Sequence, residues 1–245
     1  MLSQLRTPAL VLLFLLAGRA AVAQQPHPFG TQGTTSAASA RPELSDSERP
    51  LSGAVDERLK GMDSVVYRLT PGSRLQVKTG KAGLFGFAGH THVIRANGFK
   101  GQVVYYPRDP TRSHLEITVG TDSLEVLTPP DTAEIRKVTE TMRTEVLHTA
   151  EYHEIRLVAR QVVPTATGFH ILGALTLVGQ TREVPIEVIA RLGLDTLEAA
   201  STFAVKQTEF GIKPFSGGPG GTVKVADRVT FDIRVVAVRT GAGET

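Results

Sequence analysis

The sequence predicts an all-β protein, a closed barrel or sandwich with a single amphipathic helix, on three observations. Gly168 to Leu192 holds two runs of strand-like alternation around one tight turn. Phe169, Ile171, Leu175 and Leu177 share one side of the first run, and Val184, Ile186, Val188 and Ala190 one side of the second, the period of a pleated strand burying one face. Leu172, Ala174 and Val178 add apolar groups to the opposite face of the first run, which is therefore expected to be covered on both sides. Finally, strand signals recur from Ser64 to Val238, whereas one segment only carries helical periodicity.

In chain order, Met1 to Ala23 reads as a signal peptide. Arg6 supplies a positive start, Ala9 to Ala17 an apolar stretch too short to span a bilayer, and Ala21-Val22-Ala23 a small-residue cleavage box. The mature protein is expected to be periplasmic or secreted. Residues 24–62 are rich in Gln, Pro, Ser, Ala, Thr and Gly, too poor in large apolar groups to offset the entropy of ordering. They read as a disordered linker in which Ala54 to Lys60 forms at most a helical turn without consequence. The domain then occupies 63–240, leaving 241–245 as a flexible tail.

Within that domain, Val65 to Leu69 and Arg74 to Lys78 flank a Thr70-Pro71-Gly72 turn, and Gly83 to Gly89 is an irregular Gly-Phe-rich segment or short helix. His92 to Asn97 and Phe99 to Tyr106 read as a hairpin around Gly98. Leu115, Ile117 and Val119 alternate with His114, Glu116 and Thr118, a half-buried strand. Pro129 and Pro130 stop the preceding strand; Asp131 can cap a helix from about Thr132 to Leu147, with Glu134 three residues on and an apolar stripe of Ile135, Val138, Met142 and Val146. Strands resume at His153 to Arg160, in the hairpin with Gly179 to Arg182 as its exposed turn, at Glu198 to Lys206 and at Val229 to Val238.

Composition narrows the function classes. With 41% hydrophobic and 21% charged residues in 245, the chain fits one core plus unstructured flanks, not a multidomain enzyme. A net charge of +3 without a basic run gives no footprint for nucleic acid, though it is compatible with transient contact with anionic membranes. The absence of cysteine removes disulfides, thiolate ligands, thiol nucleophiles and lipoprotein attachment.

Three ordered motifs carry a resemblance. Gly173, Leu175, Thr176, Gly179, Thr181 and Val184 form a Gly-x-Leu-Thr-x-x-Gly-x-Thr-x-x-Val pattern; Glu209-Phe210-Gly211-Ile212 follows, then Val225-Ala-Asp227-Arg-Val229. Together with Tyr67-Arg-Leu-Thr-Pro-Gly-Ser73 these residues make the chain resemble the YceI-like family of bacterial polyisoprenoid-binding proteins from about Asp63 to Val238. The resemblance implies a lipocalin-like antiparallel eight-stranded β-barrel holding an isoprenoid chain.

The alternating faces and motifs nominate Leu115, Ile117, Ile155, Leu157, Phe169, Ile171, Leu175, Ile186, Phe203, Phe210 and Phe231 as the lining of any interior cavity. Phe169, Ile171, Leu175, Ile186, Phe203 and Phe231 in particular are expected on one contiguous buried face. Each CH2 of a guest moved out of water contributes about 0.8 kcal/mol, so an isoprene unit is worth roughly 3 before ordering costs. The same alternation serves any packed barrel, and only cavity volume separates lining from core.

The alternative function is an extracytoplasmic metal-binding protein. His90 and His92, at i and i+2 on a strand, share a face and could chelate one ion, with His114, His148 or Glu116 as a further donor. Imidazoles at a barrel rim that hydrogen-bond backbone groups, with His148 and His153 exposed near the helix exit, would look the same in sequence. Catalytic patterns are absent. There is no Gly-x-Ser-x-Gly elbow, no His-Glu-x-x-His, and Ser216 to Gly221 lacks the Lys-Ser/Thr of a phosphate loop and reads as a connection between strands. Glu209 and Asp227 read as structural carboxylates, in a cap or rim ion pair. The expectation is an exported, cofactor-free barrel that binds an apolar lipid and is not an enzyme.

Overall fold

Period-two alternation becomes a network of thirteen strands in the computed structural model, which describes residues 53–82, 91–127, 132–217 and 223–240. The elements are β1 (Ala54–Val55), β2 (Val65–Leu69), β3 (Arg74–Ala82), β4 (Val93–Ala96), β5 (Phe99–Tyr105), β6 (His114–Gly120), β7 (Leu124–Val126), α1 (Thr132–Thr141), β8 (Glu154–Pro164), β9 (Gly168–Leu177), β10 (Gln180–Leu192), β11 (Thr196–Lys206), β12 (Ser216–Gly217) and β13 (Val223–Arg239). Eight of them close a ring of antiparallel neighbours: β2, β5, β6, β8, β9, β10, β11, β13 and back to β2. The expected signal peptide, most of the expected linker, Gly83 to Gly89, the expected cap at Asp131 and the expected tail lie outside the described residues.

The longest strand organises the closure. β13 pairs with β11 along one edge, while its other edge takes β3 from Lys224 to Arg234 and then β2 from Ala237 to Arg239. The Thr70-Pro71-Gly72 turn is thus a kink between two segments that follow the same neighbour. The carbonyl of Val236 accepts from Thr70 N, Thr70 Oγ1 and Ser73 Oγ at 2.9, 2.8 and 3.0 Å, which stitches the kink to β13. Past the kink, β3 starts a branch off the barrel, β3-β4-β7.

That branch overturns the hairpin expected around Gly98. β4 pairs with β3 and β7, and β5 with β2 and β6, so Asn97-Gly98 is a corner. Local turn chemistry loses here to non-local contacts. Gly98 O accepts from Gly120 N and Ser123 Oγ at 3.0 and 3.1 Å, and a Cβ on Gly98 would lie 2.9 Å from that of Ser123. The chain passes so close to the β6–β7 connection that glycine is required by space.

The β9–β10 hairpin is present, with a tighter turn than expected. Its register runs from Gln180 opposite Leu177 to Ile189 opposite Gly168. Val178 and Gly179 form the two-residue loop with φ of 46° and 70°, and Gln180, Thr181 and Arg182 already belong to β10, fully exposed. Two positive φ values match the right-handed twist of the flanking strands, which a longer loop would not need. Cover on the outer face of β9 is partial: Ala174 is buried and Leu172 half-buried.

The helix stands where its stripe predicts. It runs through α1 and continues as a π-helical turn, Met142–Val146, with Met142 buried in the core and Val138 packed beside it. Val126 N donates to Thr139 Oγ1 at 3.3 Å and Arg143 Nη2 to Leu124 O at 2.7 Å, which docks the helix on β7.

One departure concerns the linker. Its described part is built into the domain: β1 adds in parallel to β10, and a 3-10 helix, Glu57–Gly61, follows. The Asp56 side chain accepts from Arg58 N at 2.9 Å and is gripped by the Arg58 guanidinium, whose hydrogen bonds bring its carboxyl down to about 2. Leu59 is fully buried in one cluster with Val65, Tyr67, Leu192 and Leu197. Leu59, with Met62 packed against the same cluster, anchors a stretch whose composition reads as unstructured.

Candidate functional site

The inward phase of the barrel strands is almost wholly apolar, and it encloses space. One cavity of about 100 Å³ is walled by β5, β6, β8, β9, β10, β11 and β13; a second of about 70 Å³ lies toward β3, β4 and β7. Ile117, Leu157, Phe203 and Ile233 border both, so four side chains form the partition between them.

Ten of the eleven nominated residues face this space. Leu115, Ile117, Leu157, Phe169, Ile171, Ile186 and Phe203 line the larger cavity; Ile155, Leu175 and Phe231 line the smaller. The six residues expected on one buried face are all there, so the strand phase is correct. Phe210 lines neither cavity and is the correction. It is 1% exposed and packs with Val205, Ile212, Val229 and Phe231 as solid core.

The reason lies in two family motifs that meet. β13 has a bulge between Val225 and Val229, where Asp227 turns out of the ladder. Thr208 N and Thr208 Oγ1 donate to the Asp227 carboxylate at 2.9 and 2.8 Å, and Gln207 Nε2 donates to Ala226 O at 2.9 Å. These bonds pin the 3-10 helix Gln207–Phe210, and the backbone bond from Thr208 holds the Asp227 carboxyl below the usual carboxylate range. Gly211, at φ 73°, then turns the chain so that Ile212 follows Phe210 inward. Asp227 is a staple that drives a phenyl ring into the barrel's lower end, and Glu209 is exposed beside it.

At the opposite end, Tyr67 is fully buried and donates through its hydroxyl to Gly193 O at 2.7 Å; burial pushes its phenol up to about 12. Burial also raises Tyr105, which meets Phe169 edge-on at 6.1 Å between ring centroids and lines the larger cavity. Besides the Tyr105 phenol, the polar side chains on that wall among the described residues are Ser113, His114 and Ser201. Deeper in, Phe203 and Phe231 stack at 4.8 Å with rings parallel to 1°. Gly173 leaves the gap in which Leu157 and Ile186 approach, since a Cβ there would lie 2.8 and 3.0 Å from their methyl groups.

Several lining residues escaped the sequence reading. Tyr105, Leu192, Leu197, Ala199 and Val235 all face the larger cavity on strands whose alternation was legible. Val162 was hidden for a different reason: a bulge between Ala159 and Gln161 in β8 shifts the phase, so that Val162 points inward where strict alternation from Leu157 would turn it out.

Of the histidines proposed for a metal, His90 lies outside the described residues. His92 precedes β4, its backbone N and O engaged with Thr79. His114 begins β6, and His148 sits exposed at the helix exit with φ 47°. No three His, Asp or Glu side chains gather around a common point among the described residues.

What the geometry offers, then, is a largely apolar interior in two adjoining compartments, and the comparisons concern that same barrel. A family model described as a YceI-like domain matches residues 69–237. Among solved structures, BcnA of Burkholderia cenocepacia superposes with a TM-score of 0.54 at 15% identity, over 67% of this chain and 95% of that one. A polyisoprenoid binding domain from Saccharophagus degradans, implicated in plant cell wall breakdown, gives 0.53 at 11% identity, over 72% and 99%. At such identities the likeness is one of fold. Among curated proteins no sequence matches this chain.

Proposed function

The chain belongs to the YceI-like family, and from that premise we propose that it is an exported carrier that holds a long apolar lipid, a polyisoprenoid or isoprenoid quinone, inside its barrel. The observation that carries this reading is the pair of apolar compartments separated only by Ile117, Leu157, Phe203 and Ile233. A dry engineered cavity of roughly 150 Å³ takes up benzene, so a space of about 100 Å³ fits a short piece of chain as it stands. A longer chain is accommodated when the partition side chains rotate and join the two spaces. At about 0.8 kcal/mol per buried CH2, a few isoprene units outweigh the cost of ordering the guest. The polyisoprenoid binding domain from Saccharophagus degradans, which shares this fold, supports the same ligand class.

Storage, transport or protection of the lipid, without chemical change, is the role this interior supports. Its walls are hydrocarbon except at Tyr105, Ser113, His114 and Ser201, the lining that an apolar guest needs. Export rests on the leader pattern at Met1 to Ala23 and is tested by the mass of the mature protein. For the ligand, native mass spectrometry and solvent extraction of protein purified from its own host should find one lipid per chain. Repeated absence of lipid, with no uptake of added quinone, overturns the reading.

A further inference from the structure

The barrel is closed, but one of its seams is only half sewn. β10 and β11 pair at four positions, from Ile189 opposite Ala200 to Leu192 opposite Leu197. Both strands continue past that point, yet no pairing joins Gln180–Val188 to Ser201–Lys206. The cavity reaches into this gap. Ala200 and Ser201 both border the larger cavity, which therefore reaches the wall at the level where the pairing ends.

The backbone agrees. In the β9–β10 hairpin, the two-residue turn makes Leu177 and Gln180 a hydrogen-bonded pair, and bonded and non-bonded pairs alternate from there. Glu183, Pro185 and Glu187 therefore direct their backbone N and C=O away from β9, toward β11. Proline has no N–H to give, and within a sheet it is confined to free edges, so Pro185 marks this edge as one that does not pair. A side chain spans the gap: Ser201 Oγ donates to Glu187 O at 2.6 Å. Ile189, 42% exposed, sets an apolar side chain at the head of the slit.

We propose that an apolar chain passes into and out of the barrel sideways, through the slit between β10 and β11, with the Ser201–Glu187 hydrogen bond as its latch. The alternative route, the end of the barrel near Tyr67, is obstructed by β1 and the buried Leu59. This proposal rests on the carrier reading above and adds the route of exchange to it.

The chain has no cysteine, so an introduced pair is chemically unique. Glu187→Cys with Thr202→Cys places thiols on the outer face across the slit; Ala54→Cys with Arg191→Cys locks β1 onto β10 at the end of the barrel. The probe is NBD-labelled geranylgeraniol delivered from phosphatidylcholine vesicles, followed by fluorescence. Oxidised Glu187→Cys/Thr202→Cys should take up the probe at least tenfold more slowly than its reduced form, with recovery on adding dithiothreitol, while the Ala54→Cys/Arg191→Cys pair is indifferent to oxidation. Ser201→Ala, which removes the latch, should speed uptake severalfold. The proposal is overturned if the locked slit takes up probe at the unlocked rate, if only the locked end slows uptake, or if the two slit cysteines cannot be joined. Absence of saturable uptake by the unmodified protein is a separate result, which removes the carrier reading itself.

Discussion

Along its β9 edge β10 is paired continuously from Gln180 to Ile189, whereas along its β11 edge it is paired only from Ile189 to Leu192. The residues are the same on both sides. What differs is how each edge finds its neighbour: the first is delivered by a two-residue turn, and the second depends on where the rest of the barrel leaves β11. Beyond the last shared pair, β11 stays on β13 as far as Lys206 opposite Arg228, and the gap left beside β10 opens toward the larger cavity. The stapled lower end and the partly open wall are thus neighbours along one strand, which makes them separately testable.

The largest effect is expected at the stapled end. Phe210→Ala removes a ring that is 1% exposed in solid core and should cost about 3 to 5 kcal/mol in urea unfolding. Phe203→Ala should cost clearly less, since that ring already borders empty space on two sides, and should change lipid uptake more. Equal costs would mean that the cavities are tightly packed core in solution.

On the sewn edge, Val184 lies opposite Gly173 in a hydrogen-bonded pair, so its N–H serves the ladder to β9. Val184→Pro should cost about 1 to 3 kcal/mol by leaving the Gly173 carbonyl without its donor. A milder loss would show that β9 and β10 tolerate a missing donor as readily as the slit does.

The staple has an acid signature. Because the folded Asp227 carboxyl lies below its unfolded value near 3.9, its contribution is present above that pH and disappears as pH falls through the lower folded value. Asp227→Asn should therefore melt earlier than the parent at neutral pH, with the difference closing below about pH 4. A gap that stays constant from pH 7 to below about pH 3 would show that the charge is not what holds Thr208.

The smallest effect should come from the free edge. Pro185→Val supplies an N–H facing the slit and should shift stability by no more than about 0.5 kcal/mol. A large gain would mean that the added donor finds a partner on β11 and closes the seam.

These regions also differ in how far they could be read in advance. Pro185 does not stand out in the alternation of its strand, because nothing local says which edge of β10 it faces, or that a cavity lies behind it. Phe210 sits on a motif and alternates with nothing; its place in solid core follows from bonds between Thr208 and Asp227, which are far apart in the chain. Leu59 was invisible in a composition that reads as linker.

The sequence by itself determined the all-β class, the single helix, the β9–β10 hairpin and the inward face that ten of the nominated side chains share, because side-chain alternation and helical periodicity are properties of adjacent residues. Tertiary structure alone decided the corner at Asn97-Gly98, the phase shift that turns Val162 inward, the burial of Leu59 and the half-open seam. Each of these depends on which distant strand arrives beside a given edge, and a barrel settles that by closing on itself, where the last strand must accept whatever neighbour the twist and bulges of the others present.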